Sequence, residues 1–343
     1  MNGVSFDKYS SNGNHFVLLE ETADAPLTQA QRSDWARRAA DAAYGVGADS
    51  VIFLRPLKQA RAPAPAVPEW AAHFFEPSGD EFLTCGNGLA CIARHIYARH
   101  GQMRAQVLVE QPAPQPVWSD VSWQSERQTA AVQLKPLMPR IRDFVEPSFP
   151  VLELGGLLLF GACHLTAQTP LLLASGVLVY TGEPHMVLLQ YPGGSPPPAW
   201  PASLVWAMDA PDDLFDEATH IERAGRHVNY RLRGCFPRGM NLAIARPGPT
   251  VDTLEYRCFE RGLETETLAC GTGALAVGLA ALQLGVTNAQ PLRLLPSAAR
   301  RHPCFKDAEL RVSIGSHGLM TLTTRAEHVF AGVFSMTERE RGR

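Results

Sequence analysis

One short pattern occurs twice in this sequence, and that repetition constrains the fold more than any other feature. Cys270-Gly271-Thr272-Gly273 opens the run ALAVGLAALQL, which closes at Gly285. The run carries no proline and no charge, so it predicts a buried helix with a glycine C-cap. Nearly two hundred residues upstream, Cys85-Gly86-Asn87-Gly88 opens LACIARHIYARH, a second helical run closed by Gly101. Each cysteine then sits at a helix N-terminus, where unpaired N–H groups and the positive end of the dipole favour an anion. A thiol so placed is pushed towards thiolate. The glycines beside it remove side chains, so a substrate carboxylate can approach the same N–H groups. A single pattern of this kind is explained as well by a glycine turn carrying a buried cysteine. A matched pair points instead to a duplicated unit with two similar thiols.

At 343 residues the chain is long for one core, and two domains are expected. A net charge of −3 argues against a nucleic-acid or membrane-surface partner. No basic-then-apolar signal pattern opens the chain. The most apolar region, residues 151–180, is interrupted by Pro170, His164 and glycines, and reads as buried strands rather than a membrane span. Seven cysteines, an odd number, suggest reduced thiols and a cytoplasmic setting. Cys85 and Cys91 share no helix face and no histidine completes zinc spacing, so no metal site is expected. Lysines are few, which leaves little scope for a Schiff-base cofactor.

Read in order, residues 6–9 and 15–20 form strands around the SSNGN turn, with Asn14 at its tip. Thr28 caps a helix expected to run to Gly45, and strands follow at 51–54 and 70–76. The Ala/Pro-rich stretch 58–68 reads as an exposed excursion, and Pro112–Pro116 as the domain boundary. In the second half, strands are expected at 117–123, 129–134, 177–181 and 186–191, with Gly182-Glu183-Pro184-His185 as a turn. Residues 192–201 read as a loop. FPRGMN (236–241) resembles the first turn, with Asn241 preceding a strand as Asn14 does. Strands outnumber helices, with one long helix per half, so the expected class is α+β.

Three chemistries use two activated thiols. Dithiol redox usually places its cysteines close together in sequence, as in CxxC. A nucleophilic cysteine with His185 as base leaves the second thiol unexplained. Two-base proton transfer at a stereocentre uses both: one thiolate removes the α-proton and the other thiol protonates the opposite face.

The motifs GNHF (13–16), GVGAD (45–49), GDEFLTCGNGLACIAR (79–94), PH (184–185), FPRGMN (236–241) and YRCFERG…ETLACGTGA (256–274) resemble those of the diaminopimelate epimerases. That family works without pyridoxal phosphate or any other cofactor, so the resemblance implies none here. It implies an α+β fold of two pseudo-symmetric lobes, each a mixed sheet around a central helix, with a cleft between them. The lobes would be residues 1–115, joined by a returning strand at about 325–343, and residues 116–324. By the same resemblance Cys85 and Cys270 are the acid/base pair. Gly86, Asn87, Gly271 and Thr272 would offer N–H groups to the reacting carboxylate. Asn14, Asn241, Glu260 and Arg261 match substrate-binding positions, and His185 matches a residue important to catalysis. The partner implied is a small amino acid; a homodimer is left open.

Departures from the family pattern bear on substrate. Glu76 and Glu183 stand where the family has substrate-binding asparagines, and His15 and Ala90 replace its usual Asp and Arg. An insertion lies within 192–233. Carboxylates at the two asparagine positions would repel a distal carboxylate unless Arg261 offsets them, and would welcome a distal cation. A racemase of a basic amino acid, and a non-catalytic amino-acid-binding relative, therefore stand beside diaminopimelate epimerisation as alternatives.

Overall fold

A computed structural model describes residues 3–57, 67–82, 84–109, 117–134, 141–149, 151–154, 157–161, 175–189, 215, 218–315 and 318–335. The expected domain boundary at Pro112–Pro116, most of the 58–68 excursion, the 192–201 loop and most of the 192–233 insertion lie outside the described residues.

In chain order the first strands are β1 (Gly3–Ser11) and β2 (Asn14–Glu20), then α1 (Gln29–Ala40), β3 (Ser50–Pro56), β4 (Glu69–Phe75) and β5 (Glu81–Phe82). Helix α2 (Gly86–His100) leads to β6 (Arg104–Val109), β7 (Val117–Gln124) and β8 (Thr129–Leu134). Next come β9 (Leu152–Leu154), β10 (Leu157–Gly161), β11 (Ser175–Tyr180), β12 (Pro184–Leu189), α3 (Ala218–Arg226), β13 (Asn241–Pro247), β14 (Thr253–Glu260) and β15 (Thr265–Thr267). The chain continues with α4 (Gly271–Gln283), β16 (Leu292–Pro296), α5 (Ser297–Arg301), β17 (Leu310–Ile314), β18 (Met320–Arg325) and β19 (Glu327–Ser335). The class is α+β, rich in strand.

Two compact units emerge, one of residues 1–84, 88–132 and 325–343 and one of 85–87 and 133–324. In the first, β1 pairs antiparallel with both β2 and β19. From there β2–β3 is parallel, β3–β4 and β4–β5 antiparallel, β4–β6 parallel and β6–β7 antiparallel. In the second, β11–β12 is antiparallel, β12–β13 parallel, β13–β14 and β14–β15 antiparallel, β14–β16 parallel and β16–β17 antiparallel. The same order of parallel and antiparallel pairings thus occurs twice, with α2 and α4 at equivalent points of the chain. Asn14 and Asn241 each open a strand, as expected, though at different places in the repeat: Asn14 opens β2, whose counterpart is β12, and Asn241 opens β13, whose counterpart is β3.

Burial explains the elements. β12 and β13 are apolar almost throughout and buried on both faces, as parallel strands inside a sheet are. α4 is buried around nearly its whole circumference, which its lack of charge permits. A Cβ on its Gly278 would stand 2.8 Å from Val312 Cγ1, so only glycine lets the helix approach β17 this closely. In the first unit, Trp35, Ala36 and Ala39 of α1 pack on Phe6, Val17, Leu19, Val51 and Phe53. Fully burying a side chain such as Val51 or Phe53 contributes roughly 1.5–3 kcal/mol.

Two local expectations are corrected. The helix capped by Thr28 ends at Ala40, not Gly45. The Asp41 carboxylate accepts from the N–H groups of Ala43 and Tyr44, which diverts the backbone into a turn completed by Gly47 at φ +72°. His185 is a strand residue rather than a turn residue. It pairs with Val179 on one side and Asn241 on the other, so the turn is confined to Thr181–Glu183.

Candidate active site

The site is built on the N-terminus of α4. Cys270 is its N-cap residue in extended conformation, and the Cys270 sulfur accepts from the Gly273 N–H at 3.3 Å. Thr272 Oγ1 lies 3.5 Å from the same sulfur. The Cys258 sulfur, on β14, lies nearby: a Cβ on Gly273 would stand 3.1 Å from it and 3.2 Å from the Cys270 sulfur. The neighbouring Cys258 thiol foremost, with Thr272 and the Gly273 N–H, outweighs burial and brings the Cys270 thiol down to about 7.

Behind this sulfur runs a chain of hydrogen bonds. His185 Nε2 lies 3.1 Å from Thr272 Oγ1, and Thr181 Oγ1 donates to the Thr272 carbonyl at 2.8 Å. His185 is fully buried, and burial, reinforced by the charge of Arg261, lowers its pKa to about 3. The ring is therefore neutral. Its Nδ1 has no hydrogen-bond partner among the described residues. A bare lone pair costs less there than an unsatisfied N–H, so the tautomer inferred from the network carries its proton on Nε2. His185 then donates to Thr272, and Thr272 is left to donate to Cys270.

The other cysteine reaches the same unit. Cys85–Asn87 groups with the second unit, although the remainder of α2 belongs to the first. Asn87 Nδ2 donates to the Ala269 carbonyl at 3.0 Å, which ties the first turn of α2 to the residue before Cys270. Gly86 and Gly271 are in mutual contact. A Cβ on Gly271 would meet Asn87 N at 2.9 Å, and one on Gly86 would meet the Gly271 carbonyl carbon at 3.4 Å. At 271 a side chain is opposed by backbone, whereas at 86 a Cβ would press on Leu322 Cδ2 at 2.8 Å. Cys85 itself is half-buried.

Glu183, Asn241, Glu260 and Arg261 gather beside this centre. The Arg261 N–H donates to Asn241 Oδ1 at 2.9 Å, and its guanidinium donates to the Arg238 carbonyl at 2.7 Å. Arg261 Nη2 also donates to Glu183 Oε2 at 2.6 Å, in an ion pair whose side chains are 23% and 8% exposed. Glu260 accepts from Thr267 Oγ1 at 2.6 Å. Of the substrate-binding candidates, Asn14 and Glu76 fall in the first unit. Asn14 is buried, with Nδ2 donating to Asp49 Oδ2 at 2.7 Å. Glu76 is half-buried and its backbone closes a turn with Asp80.

Sequence reasoning passed over Cys258, Thr181 and Tyr256, whose hydroxyl donates to the Cys270 carbonyl at 3.0 Å. The available signal was alternation: residues 256 and 258 share the β14 face nearest the start of α4. Elsewhere, in the first unit, Glu20 Oε2 lies 3.0 Å from both His95 Nε2 and His100 Nε2, and these groups come within metal-ligand range of one another. Tyr9 engages His95 Nδ1 at 3.2 Å. The cluster is satisfied as a hydrogen-bonded network.

Residues 6–132 match the family model for diaminopimelate epimerase. The diaminopimelate epimerase of Methanothrix thermoacetophila is 28% identical over 302 residues, which cover 86% of this chain and 89% of that protein. Along most of its length the chain is thus similar in sequence to diaminopimelate epimerases. Their namesake from Acaryochloris marina aligns over 96% of this chain and 98% of its own length at 26% identity. Among solved structures, a probable proline racemase from Agrobacterium radiobacter superposes with a TM-score of 0.56, covering 98% of this chain and 94% of that one at 12% identity. That likeness establishes a shared fold. The diaminopimelate epimerase match rests on sequence along most of the chain. No helix among the described residues is long and apolar enough to cross a membrane.

Proposed function

We propose that this protein epimerises or racemises an amino acid at its α-carbon by two-base proton transfer between Cys85 and Cys270, without a cofactor. The observation that carries this reading is the environment of Cys270. It is an N-cap thiol near neutral pKa, held by Thr272 and Gly273 and set against a second Cys-Gly-Asn segment. In one direction the Cys270 thiolate takes the α-proton while the Cys85 thiol delivers its own to the opposite face. In the reverse direction the roles exchange. The substrate carboxylate gains negative charge as the α-proton leaves. N–H groups at Gly86, Asn87, Gly271 and Thr272 are assigned to stabilise it. His185 keeps the Thr272 hydroxyl aimed at Cys270.

Similarity to the diaminopimelate epimerases makes diaminopimelate the first substrate to consider. One observation favours a second reading, a basic amino acid without a distal carboxylate. The Arg261 guanidinium is already paired with Glu183. A distal carboxylate reaching Arg261 would have to share it with that acid, whereas a distal ammonium would find Glu183 as an acceptor. Asn14, Glu76, Asn241 and Glu260 complete the proposed substrate-binding set.

The test is a screen of LL- and meso-diaminopimelate, lysine, ornithine, arginine and histidine for deuterium incorporation at Cα in heavy water. The reading requires exchange accompanied by inversion for at least one of them. Tight binding of an amino acid with no exchange would leave a binding protein in its place.

A further inference from the structure

Thr181 is a fully buried polar residue for which the proposed reaction has no step. It follows β11 and opens the Thr181–Glu183 turn, where its N–H donates to the Glu183 carbonyl at 3.2 Å. Gly182, at φ +103°, lets so short a turn close. The turn hands the chain to β12, so one hairpin presents both Thr181 and His185 to the start of α4. They meet the same residue at two points. His185 Nε2 lies against the Thr272 hydroxyl, and Thr181 Oγ1 donates to the Thr272 carbonyl at 2.8 Å. The direction of the second bond is fixed, because a carbonyl oxygen only accepts.

That carbonyl belongs to the peptide unit that carries the Gly273 N–H. In a planar trans peptide the two groups point in opposite directions. The Gly273 N–H donates to the Cys270 sulfur at 3.3 Å. One peptide thus connects two hydrogen bonds: a hydroxyl binds its carbonyl end, and its N–H end binds the sulfur. A bond accepted by the carbonyl polarises the peptide and makes its N–H a stronger donor, by about 10–30% per bond. Thr181 and Cys270 are both buried, so water does not damp the effect. Two peptide units earlier Tyr256 stands in the same relation to the backbone. It donates to the Cys270 carbonyl alongside the Ala274 N–H, and that peptide carries the N–H of Gly271.

We infer that Thr181 is a positioning residue: by binding the Thr272 carbonyl it aims and polarises the peptide whose N–H holds Cys270 as the thiolate that removes the substrate α-proton. The inference rests on the proposed role of Cys270 as a base. The ionisable groups around Cys270 are Tyr256, Cys258 and Glu260 on β14, with His185 on β12 behind Thr272. All of them are retained when Thr181 alone is changed.

The experiment titrates the Cys270 thiolate in the full-length protein by its ultraviolet absorbance, as each protein minus its Cys270→Ser counterpart. It is run in wild type, in Thr181→Val, which keeps the volume but has no hydroxyl, and in Thr181→Ser, which keeps the hydroxyl. Thr181→Ala takes the place of the valine variant if circular dichroism shows the latter unfolded. Loss of the hydroxyl should raise the midpoint by about 0.2–0.5 unit, leaving up to about threefold less thiolate at pH 6. The acid limb of kcat/KM for Cα exchange should move with it, and Thr181→Ser should return both most of the way. A hydroxyl that only fastens the hairpin to α4 would lower the melting temperature of Thr181→Val and leave the midpoint in place; that result overturns the inference. So does a raised midpoint that Thr181→Ser fails to restore. The absorbance titration needs no turnover, so it judges Thr181 even if Cys270→Ser were to retain full exchange and end the two-base reading.

Discussion

Replacing Glu183 by Asn should move substrate preference towards amino acids with a distal carboxylate. Glu183 Oε2 sits 2.6 Å from Arg261 Nη2 and is 8% exposed, so solvent screens the pair only weakly. A second carboxylate brought to the same guanidinium would face Glu183 at about 4 Å, where like charges cost about 4 kcal/mol in partly buried surroundings. Shared attraction to Arg261 offsets much of that repulsion. A safer measure is the charged hydrogen bond that the substitution removes, because a hydrogen bond to a charged partner contributes about 1.5–3 kcal/mol. At about 1.4 kcal/mol per tenfold, the ratio of kcat/KM for meso-diaminopimelate to that for ornithine should rise about 10- to 100-fold. Arg261 keeps its bonds to Asn241 and the Arg238 carbonyl, so the site should stay assembled. The assay is deuterium incorporation at Cα by NMR for both substrates, in wild type and Glu183→Asn. A ratio unchanged within about threefold would refute the charge argument.

Other expectations follow from the same geometry. Because the Cys270 pKa is lowered to about 7, the form with both thiols protonated accumulates only below that pH. The kcat/KM for exchange should therefore fall about tenfold per unit below pH 7 in both reaction directions, as read from a pH–rate profile. Thr272→Val removes the hydroxyl between His185 and Cys270 and should shift that acid limb upwards; it also leaves the buried His185 N–H without an acceptor, which should cost about 1–3 kcal/mol in a denaturant titration. Arg257 is fully buried, and its guanidinium is held by Glu266 at 2.6 Å. Glu266→Ala strands that charge and should cost about 3–5 kcal/mol in a denaturant titration.

Much of the site's local chemistry was legible in the sequence. Cys-Gly-x-Gly before an apolar run announces an N-cap thiol, and α4 starts with Cys270 as its N-cap. The α+β class likewise followed from the alternation of short strands with two long helices. Contacts between distant residues were not legible. Glu183 and Arg261 are 78 residues apart, and only the β12–β13–β14 register brings them together. Cys258 read as an ordinary strand residue, because its value depends on the hairpin that returns the chain to Cys270. The early end of α1 escaped because Asp41 competes with the helix for its own backbone N–H groups, which residue propensities do not register. His185 was read as a turn residue because Gly182 and Pro184 dominate the local pattern. Its strand partners, Val179 and Asn241, are fixed by register rather than by neighbouring residues.

The central claim is that two cysteines move one proton each across a single α-carbon. Its most direct test follows Cα deuterium incorporation and inversion, starting from each enantiomer of the best substrate, in wild type, Cys85→Ser and Cys270→Ser. A serine hydroxyl is a far weaker acid than a thiol, so each variant should lose several orders of magnitude in inversion. Each should also wash deuterium, if at all, into only one enantiomer, the one whose α-proton faces the surviving cysteine. Near-normal inversion in either single variant would contradict the account.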